Sequence, residues 1–354
     1  MIEVQHLTKK YDNLYAVNDI SFTIESGKIY GFLGPNGAGK STTMNIITGC
    51  LSATSGTVSV DGKDIFENPI EAKRKIGYLP EIPPLYTEMT PAEYLAFVAQ
   101  AKGVGYEQAS RQIKEVMELT QITYVADRLI RNLSKGYRQR VGIAQALLGN
   151  PDIIILDEPT VGLDPKQIIE IRDLIRLLGQ NKTVIVSSHI LAEISEVCDH
   201  VIILSHGRLV ANDSLSALEA GTKADTRLQL TVKGEMQTVA SVLTEIEGVC
   251  NIDAQQEHEN GICSFLFDID FQNDPRDIIF YTLADKKIPI VEMSIKRPTL
   301  EDIFLRLTSN AFVNEENEQF SNQPSFENDT ACDFSECESP EQQNEQIDKE
   351  DIDE

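Results

Sequence analysis

The 354-residue chain has no tryptophan, and its five histidines (His6, His189, His200, His206 and His258) stand at no spacing that would ligate a metal. No run of about 18 apolar residues occurs, so no membrane-crossing helix is expected. The amino terminus opens on the alternating Ile2-Glu3-Val4 and carries no secretory pattern. Basic residues are scarce: 31 Lys and Arg against 56 Asp and Glu give a formal charge of −25, which argues against binding nucleic acid through a basic footprint. The six cysteines, at positions 50, 198, 250, 263, 332 and 337, include one close pair, Cys332 and Cys337, with no second pair to match it. Reduced cytosolic thiols are therefore expected, rather than a disulfide framework or a metal site.

What is present divides the chain in three. Residues 310–354 hold fifteen acidic residues and one lysine, −14 of the total charge, and few apolar positions. That composition predicts a disordered acidic tail. Residues 1–222 alternate strand-like and helix-like patterns. Segment 28–33 reads as a buried strand, 153–156 is a continuous apolar run, and 183–186 and 200–204 look alike, as expected of strands covered on both faces. Asp61-Gly62 marks a hairpin between 57–60 and 64–65. Tyr94, Leu95 and Val98, then Ile113, Val116 and Met117, recur at helical spacing within 91–121. A mostly parallel α/β core with an inserted helical lobe, about 82–148, follows. Residues 226–308 read strand–helix–strand–strand–helix–strand, with a turn at Asn260-Gly261 and a closing helix over 300–307, which predicts a small ferredoxin-like accessory domain.

The chemistry concentrates in the first region. Gly34-Pro35-Asn36-Gly37-Ala38-Gly39-Lys40-Ser41-Thr42 fits G-x-x-x-x-G-K-[ST], with a strand before it and a helix after it. Its glycines let backbone N–H groups wrap an anion at the positive end of that helix. Lys40 would bridge the β- and γ-phosphates, and the Ser41 hydroxyl would ligate magnesium. Asp157 and Glu158 end the apolar strand 153–156, at the edge of a parallel sheet where ligands bind. Two adjacent carboxylates there need a counter-ion, which a magnesium ion would supply. Asp157 is assigned to the metal, and Glu158 to orienting or deprotonating the attacking water. His189 follows the strand 183–186 and so emerges at the same edge, which favours a γ-phosphate contact over a purely structural role. Ser134 is a natural N-cap for a helix over 135–148.

Leu133-Ser134-Lys135-Gly136-Tyr137 stands 94 residues beyond Lys40 and 23 before Asp157, counted to Ser134. Together with the phosphate loop, Gly162-Leu163-Asp164-Pro165 and Ser187-Ser188-His189, this order resembles the nucleotide-binding subunit of an ABC transporter. The resemblance covers about 1–222. It implies an α/β fold: a P-loop ABC ATPase core with an antiparallel β subdomain. It also implies ATP and Mg2+ as ligands, with Tyr11 stacking on adenine, and Glu81, Ser41 and Asp157 around the metal. Ser134 and Gly136 would meet the γ-phosphate held by a second nucleotide-binding subunit, in a head-to-tail homodimer with Asp164 at its seam. The implied partner is an integral-membrane permease, which would hold the chain at the cytoplasmic face of the membrane. Ile82, Leu85 and Tyr86 would be its contacts, or else core residues. Gly77-Tyr78-Leu79-Pro80-Glu81, Pro84-Leu85-Tyr86 and Pro298-Thr299-Leu300-Glu301-Asp302 are similar to one branch, the ATPases of type-2 exporters of the drug, sodium and gliding-motility kind. Two departures stand out: Glu81 replaces the glutamine usual in that family, and Lys135 and Tyr137 replace a glycine and a glutamine of the signature. The alternative is a cytosolic non-transport ABC ATPase. The single cassette argues against a ribosome-acting type, the absence of a long coiled coil against a chromosome ATPase, and the intact Lys40, Asp157, Glu158 and His189 against a binding-only module.

Overall fold

A computed structural model of the chain describes residues 1–221, 227–258, 261–269, 274–296 and 301–305. Asn260, Pro298, Thr299, Leu300, Cys332, Cys337 and the acidic tail expected over 310–354 lie outside the described residues. Residues Met1–Asn314 form one compact unit, which contains three sheets.

The first sheet is antiparallel, in the order β2 (Leu14–Ile24), β1 (Ile2–Tyr11), β4 (Ser55–Val60), β5 (Lys63–Asp64). The Asp61-Gly62 turn joins its last two strands, with Ser59 opposite Asp64. The second sheet runs β10 (Arg208–Ser214), β9 (His200–Ser205), β3 (Ile29–Leu33), β8 (Thr183–Ser188), β7 (Ile153–Leu156), β6 (Ile76–Leu79). Every neighbouring pair in it is parallel except β10 with β9. α1 (Lys40–Ile47), α2 (Pro69–Arg74), α6 (Pro165–Gly179) and α7 (Leu191–Ser195) connect these strands, and α8 (Leu215–Gly221) follows β10.

Strand periodicity decides which face each side chain joins. Ile153 and Ile155 pack with Tyr30, Phe32 and the first sheet, whereas Ile154 and Leu156 pack with Leu33, Val184, Val186 and the helical side. That is why β7 is apolar at all four positions, and each such burial contributes about 1.5–3 kcal/mol.

The helical lobe holds α3 (Pro91–Ala101), α4 (Tyr106–Leu119) and α5 (Lys135–Leu147). α3 starts at a reciprocal capping box: Glu93 N donates to Thr90 Oγ1 at 3.3 Å and Thr90 N to Glu93 Oε2 at 2.9 Å. At the other end of the lobe, Lys102 Nζ donates to the carbonyls of Gln145, Ala146 and Leu148, satisfying the orphan acceptors that end α5. The protein crowded around that amine pushes its pKa down to about 8. Arg140 is buried; it donates to the Thr120 carbonyl at 3.0 Å and to Glu170 Oε2 at 2.5 Å, tying α5 to the end of α4 and to α6.

The third sheet is antiparallel throughout, in the order β12 (Val249–His258), β13 (Ile262–Ile269), β11 (Arg227–Lys233), β14 (Ile290–Lys296). α9 (Met236–Thr244) follows β11, and α10 (Arg276–Asp285) follows β13, the element order read from the sequence. It has its own core: Leu228, Leu230, Phe265 and Phe267 from the sheet, with Val239, Leu243, Ile279 and Leu283 from the helices. Residues 301–305 of the expected closing helix are helical, and Ile303 is buried. Cys198 and Cys263 are buried and Cys50 and Cys250 exposed, and none of the four is in a disulfide. Among the described residues no helix is long and apolar enough to cross a membrane.

Candidate functional site

Four parallel strands, side by side as β3, β8, β7 and β6, end at one edge of the second sheet. Their register aligns Leu33 with Ser188, Val186 with Leu156 and Leu156 with Leu79. The residues that follow each strand therefore form one row: the phosphate loop, His189, Asp157-Glu158, and Glu81. Sequence separations of more than a hundred residues collapse to neighbouring strand ends.

The loop from Gly34 to Gly39 is closely wrapped. A Cβ at Gly34 would collide with the Leu204 carbonyl oxygen, and one at Gly39 with that of Ala16. Gly37 and Gly39 adopt φ of 82° and 99°, which side-chain-bearing residues rarely reach. Pro35 and Ala38 close the turn, with Ala38 N donating to the Pro35 carbonyl at 3.1 Å; Asn36 and Gly37 are exposed at its tip. α1 then begins at Lys40, followed by half-buried Ser41 and Thr42, and no side chain caps it. Its first N–H groups are thus free to meet an anion.

Lys40 is 6% exposed, and its Nζ donates to the carbonyls of Gly34 at 2.8 Å and Pro35 at 3.3 Å. It also lies 3.7 Å from Glu158 Oε1. Glu158 is buried, at φ 47°, so the chain turns into the left-handed region to present this carboxylate. Its other oxygen, Oε2, is 2.9 Å from His189 Nδ1. Asp157 is buried beside it and accepts a 2.5 Å hydrogen bond from Ser187 Oγ, while Glu158 N donates to that same Oγ at 2.7 Å. Burial, with Asp157 nearby, raises the Tyr78 phenol well above its usual range, and its hydroxyl donates to Asn45 Oδ1 on α1.

One buried cation thus stands at this edge with two buried carboxylates, a surplus of acidic groups that low-dielectric surroundings penalise. Among the described residues no group of three or more His, Cys, Asp or Glu side chains could hold a metal ion. The hard oxygens of Ser41, Asp157 and Glu81 suit magnesium only if phosphate oxygens and water complete the shell, as is usual for that ion. Glu81, two residues past β6, is exposed.

The remaining sequence candidates lie elsewhere. Tyr11, 46% exposed, ends β1, with Lys9 Nζ 5.1 Å from its ring centroid and also bonded to the Ser52 carbonyl. Ser134 caps α5 through Tyr137 N at 3.4 Å, and Gly136 is buried against the Gln167 side chain on α6. Lys135 is exposed, with its Nζ lying over Gly162. Asp164 caps α6 through Gln167 N at 2.9 Å. Among the described residues no contact joins Ser134 or Gly136 to Lys40. Of the three lobe residues, Ile82 and Tyr86 are exposed, Tyr86 stacking on Tyr94 and Phe97, while Leu85 packs on the core. Nothing in the sequence assigns a role to Ser187, the hydroxyl that bonds both the Asp157 carboxylate and the Glu158 backbone amide. Its only signal was a polar residue completing an otherwise apolar strand.

Residues 17–161 match the ABC transporter family. The chain is 34% identical over 309 residues to the bacitracin transport ATP-binding protein BcrA of Bacillus licheniformis, covering 87% of this chain and 97% of that one. It is 32% identical over 312 residues to the linearmycin resistance ATP-binding protein LnrL of Bacillus subtilis (strain 168), covering 87% and 98%. Among solved structures, the ATP-binding subunit of an ABC transporter superposes with a TM-score of 0.58 at 31% identity, over 62% of this chain and 92% of that one. A dimeric ATP-binding cassette in a post-hydrolysis state, bound to ADP and Pi, superposes with a TM-score of 0.56 at 29% identity, over 61% and 99%. With its shared length, its fold and its phosphate-loop edge in agreement, the chain belongs to the ATP-hydrolysing ATP-binding subunits of ABC transporters.

Proposed function

We propose that this subunit binds ATP with Mg2+ at the row of strand ends, pairs head to tail with a second copy, and drives a separate integral-membrane permease in export. The observation that carries the reading is the Glu158 carboxylate held between Lys40 at 3.7 Å and His189 at 2.9 Å, at the end of a buried strand. Lys40 leaves its two loop carbonyls for the β- and γ-phosphates, which the N–H groups of the loop and of α1 also bind. Glu158 orients a water and accepts its proton as the water oxygen attacks the γ-phosphorus; the bond to the β–γ bridging oxygen breaks and ADP leaves. His189 donates to the γ-phosphate. Ser41, Asp157 and Glu81 would hold a magnesium ion, which would supply positive charge against the phosphates. Tyr11 stacks on adenine, its ring steadied from one side by Lys9.

Ser134 and Gly136 of the second copy complete the phosphate site, which fits the lack, among the described residues, of any contact between them and Lys40. Residues 1–222 then form the ATP-binding domain, 226–308 an accessory domain and 310–354 an acidic tail. A relative named for Nod factor export, 32% identical over 218 residues, supports export as the direction. Exposed Ile82 and Tyr86 are the contacts for the permease, and peripheral attachment through it holds the subunit at the cytoplasmic face of the membrane.

Affinity purification from detergent-solubilised native membranes tests the partnership. A polytopic membrane protein recovered in near-equal amount is expected. Recovery from the soluble fraction alone would replace the permease with a cytosolic target.

A further inference from the structure

The third sheet has two unlike edges. Along β12 the register with β13 breaks twice, between Cys250 and Asp253 and between Ala254 and Gln256, and Asn251 sits at φ 50°. Such irregularities spoil the even row of N–H and C=O groups that a further strand would need. β14 is different. It pairs with β11 without interruption from Lys296 opposite Arg227 to Glu292 opposite Thr231, and the one shift falls at its start. Among the described residues no strand pairs with its outer side.

The surface beside that edge is apolar. α10 buries Ile279 and Leu283 but leaves Ile278, Phe280 and Tyr281 at 51%, 53% and 67% exposure, and Val291 on β14 is 58% exposed. Phe280 and Ala284 share a groove with Ile288, Pro289 and Ile290 at the start of β14, with Lys287 at its rim. An ordered strand edge bordered by exposed aromatic rings is a template for strand addition.

We propose that the outer edge of β14 pairs antiparallel with β14 of a second copy of this chain. β14 is complementary to itself. A two-fold axis through Ser294 sets Glu292 of each copy opposite Lys296 of the other, and Met293 opposite Ile295. Cross-strand neighbours in such a ladder lie about 4.5–5.5 Å apart. The arrangement therefore makes two charge pairs and two apolar pairs from a seven-residue strand. Glu292 and Lys296 are exposed, and among the described residues Glu292 accepts from Ser294 Oγ, on its own strand, at 3.0 Å. Met293 and Ile295 already pack on the third core, so pairing extends two cores into one. The same axis brings the apolar flanks of the two α10 helices side by side. The interface is isologous, closes on itself and contains no nucleotide, so it is separate from the ATP-dependent pairing proposed above.

The test uses the full chain, free of nucleotide and in EDTA, by sedimentation equilibrium. The wild type is expected to dimerise. Glu292→Lys and Lys296→Glu each replace two attractive pairs with two repulsive ones and should raise the dimer Kd on the order of tenfold. Mixing the two variants should restore wild-type association as a heterodimer, and the double exchange Glu292→Lys/Lys296→Glu should restore it within one chain. Oxidised Ser294→Cys should yield a peptide cross-linked to itself at position 294. A wild type that stays monomeric at about 100 µM, a concentration that would reveal even weak pairing, overturns the proposal. So does equal association of both single variants with the wild type. Capture by the monomer of a strand from another protein would also count against it.

Discussion

The strand ends of the second sheet and the core of the third sheet are built from similar parts and treat polar groups in opposite ways. At the first, Lys40, Asp157, Glu158, Thr160, Ser187 and Ser188 are all buried within a few residues of one edge. In the third sheet Ser264 is the one buried polar side chain among the described residues, and it meets the Thr231 hydroxyl at 3.1 Å. Burying a charge is costly unless it is paired, and a domain needs none of this for stability. The contrast teaches where to look for chemistry: the costly groups collect where the strands of an α/β sheet end, and the sheet with an ordinary core holds none of them.

The sharpest way to break that contrast is Glu158→Gln, which removes the charge and keeps the shape. Turnover should fall by about 10²–10⁴-fold, the usual contribution of a positioned base, and an ATP-bound dimer should accumulate. Single-turnover hydrolysis with gel filtration reads both; native turnover would remove Glu158 from the role of base. The opposite intervention is Phe265→Ala in the third core. It should cost about 3–5 kcal/mol in that region's stability while ATP turnover per folded molecule stays at the wild-type level. Thermal unfolding alongside ATPase assays checks it, and equal losses in both would mean that the two regions are one cooperative unit.

Smaller effects probe groups between these extremes. Tyr11→Ala should raise the Kd for ATP several-fold, given about 1 kcal/mol or more for a base–aromatic stack; an unchanged Kd in titration calorimetry returns Tyr11 to the status of a surface residue. Lys102, an ammonium set against three backbone carbonyls, has a pKa below that of a free lysine. The folded state then binds fewer protons than the unfolded state between about pH 8 and pH 10.4, so stability should rise with pH across that window. Solvent screening of its exposed stem keeps the gain below about 1 kcal/mol. Chemical denaturation of the wild type and of Lys102→Met at pH 8 and pH 10 measures it, and the gain should vanish in the variant.

Much of the architecture was legible from periodicity alone. The apolar run of β7, the hairpin at Asp61-Gly62, the helical spacing around Tyr94 and Val116, and the element order of β11 to β14 each follow from the period of one segment. Boundaries moved by a few residues where tertiary contacts extended an element, as in β8, which continues through Ser187 and Ser188 to the site. Contacts between distant segments could not be read in the same way. Nothing in the composition of 187–189 says that Ser187 bridges Asp157 and the amide of Glu158, or that His189 reaches Glu158. The fate of Lys135 depended on the loop at Gly162, and that of Leu85 on the lobe core.

By itself, then, the sequence determined the local menu: which segments are strands and helices, where the backbone needs glycine, and which side chains have the chemistry for phosphate and metal. Those properties depend on a residue and its near neighbours, so a linear reading captures them. Strand order and register belonged to the tertiary structure alone. By setting β3, β8, β7 and β6 side by side, it gathered four distant segments at one edge; it also left β14 as an ordered outer edge while β12 was broken twice. The physical reason is that sheet order is chosen by the packing of both faces at once, a property of the whole chain.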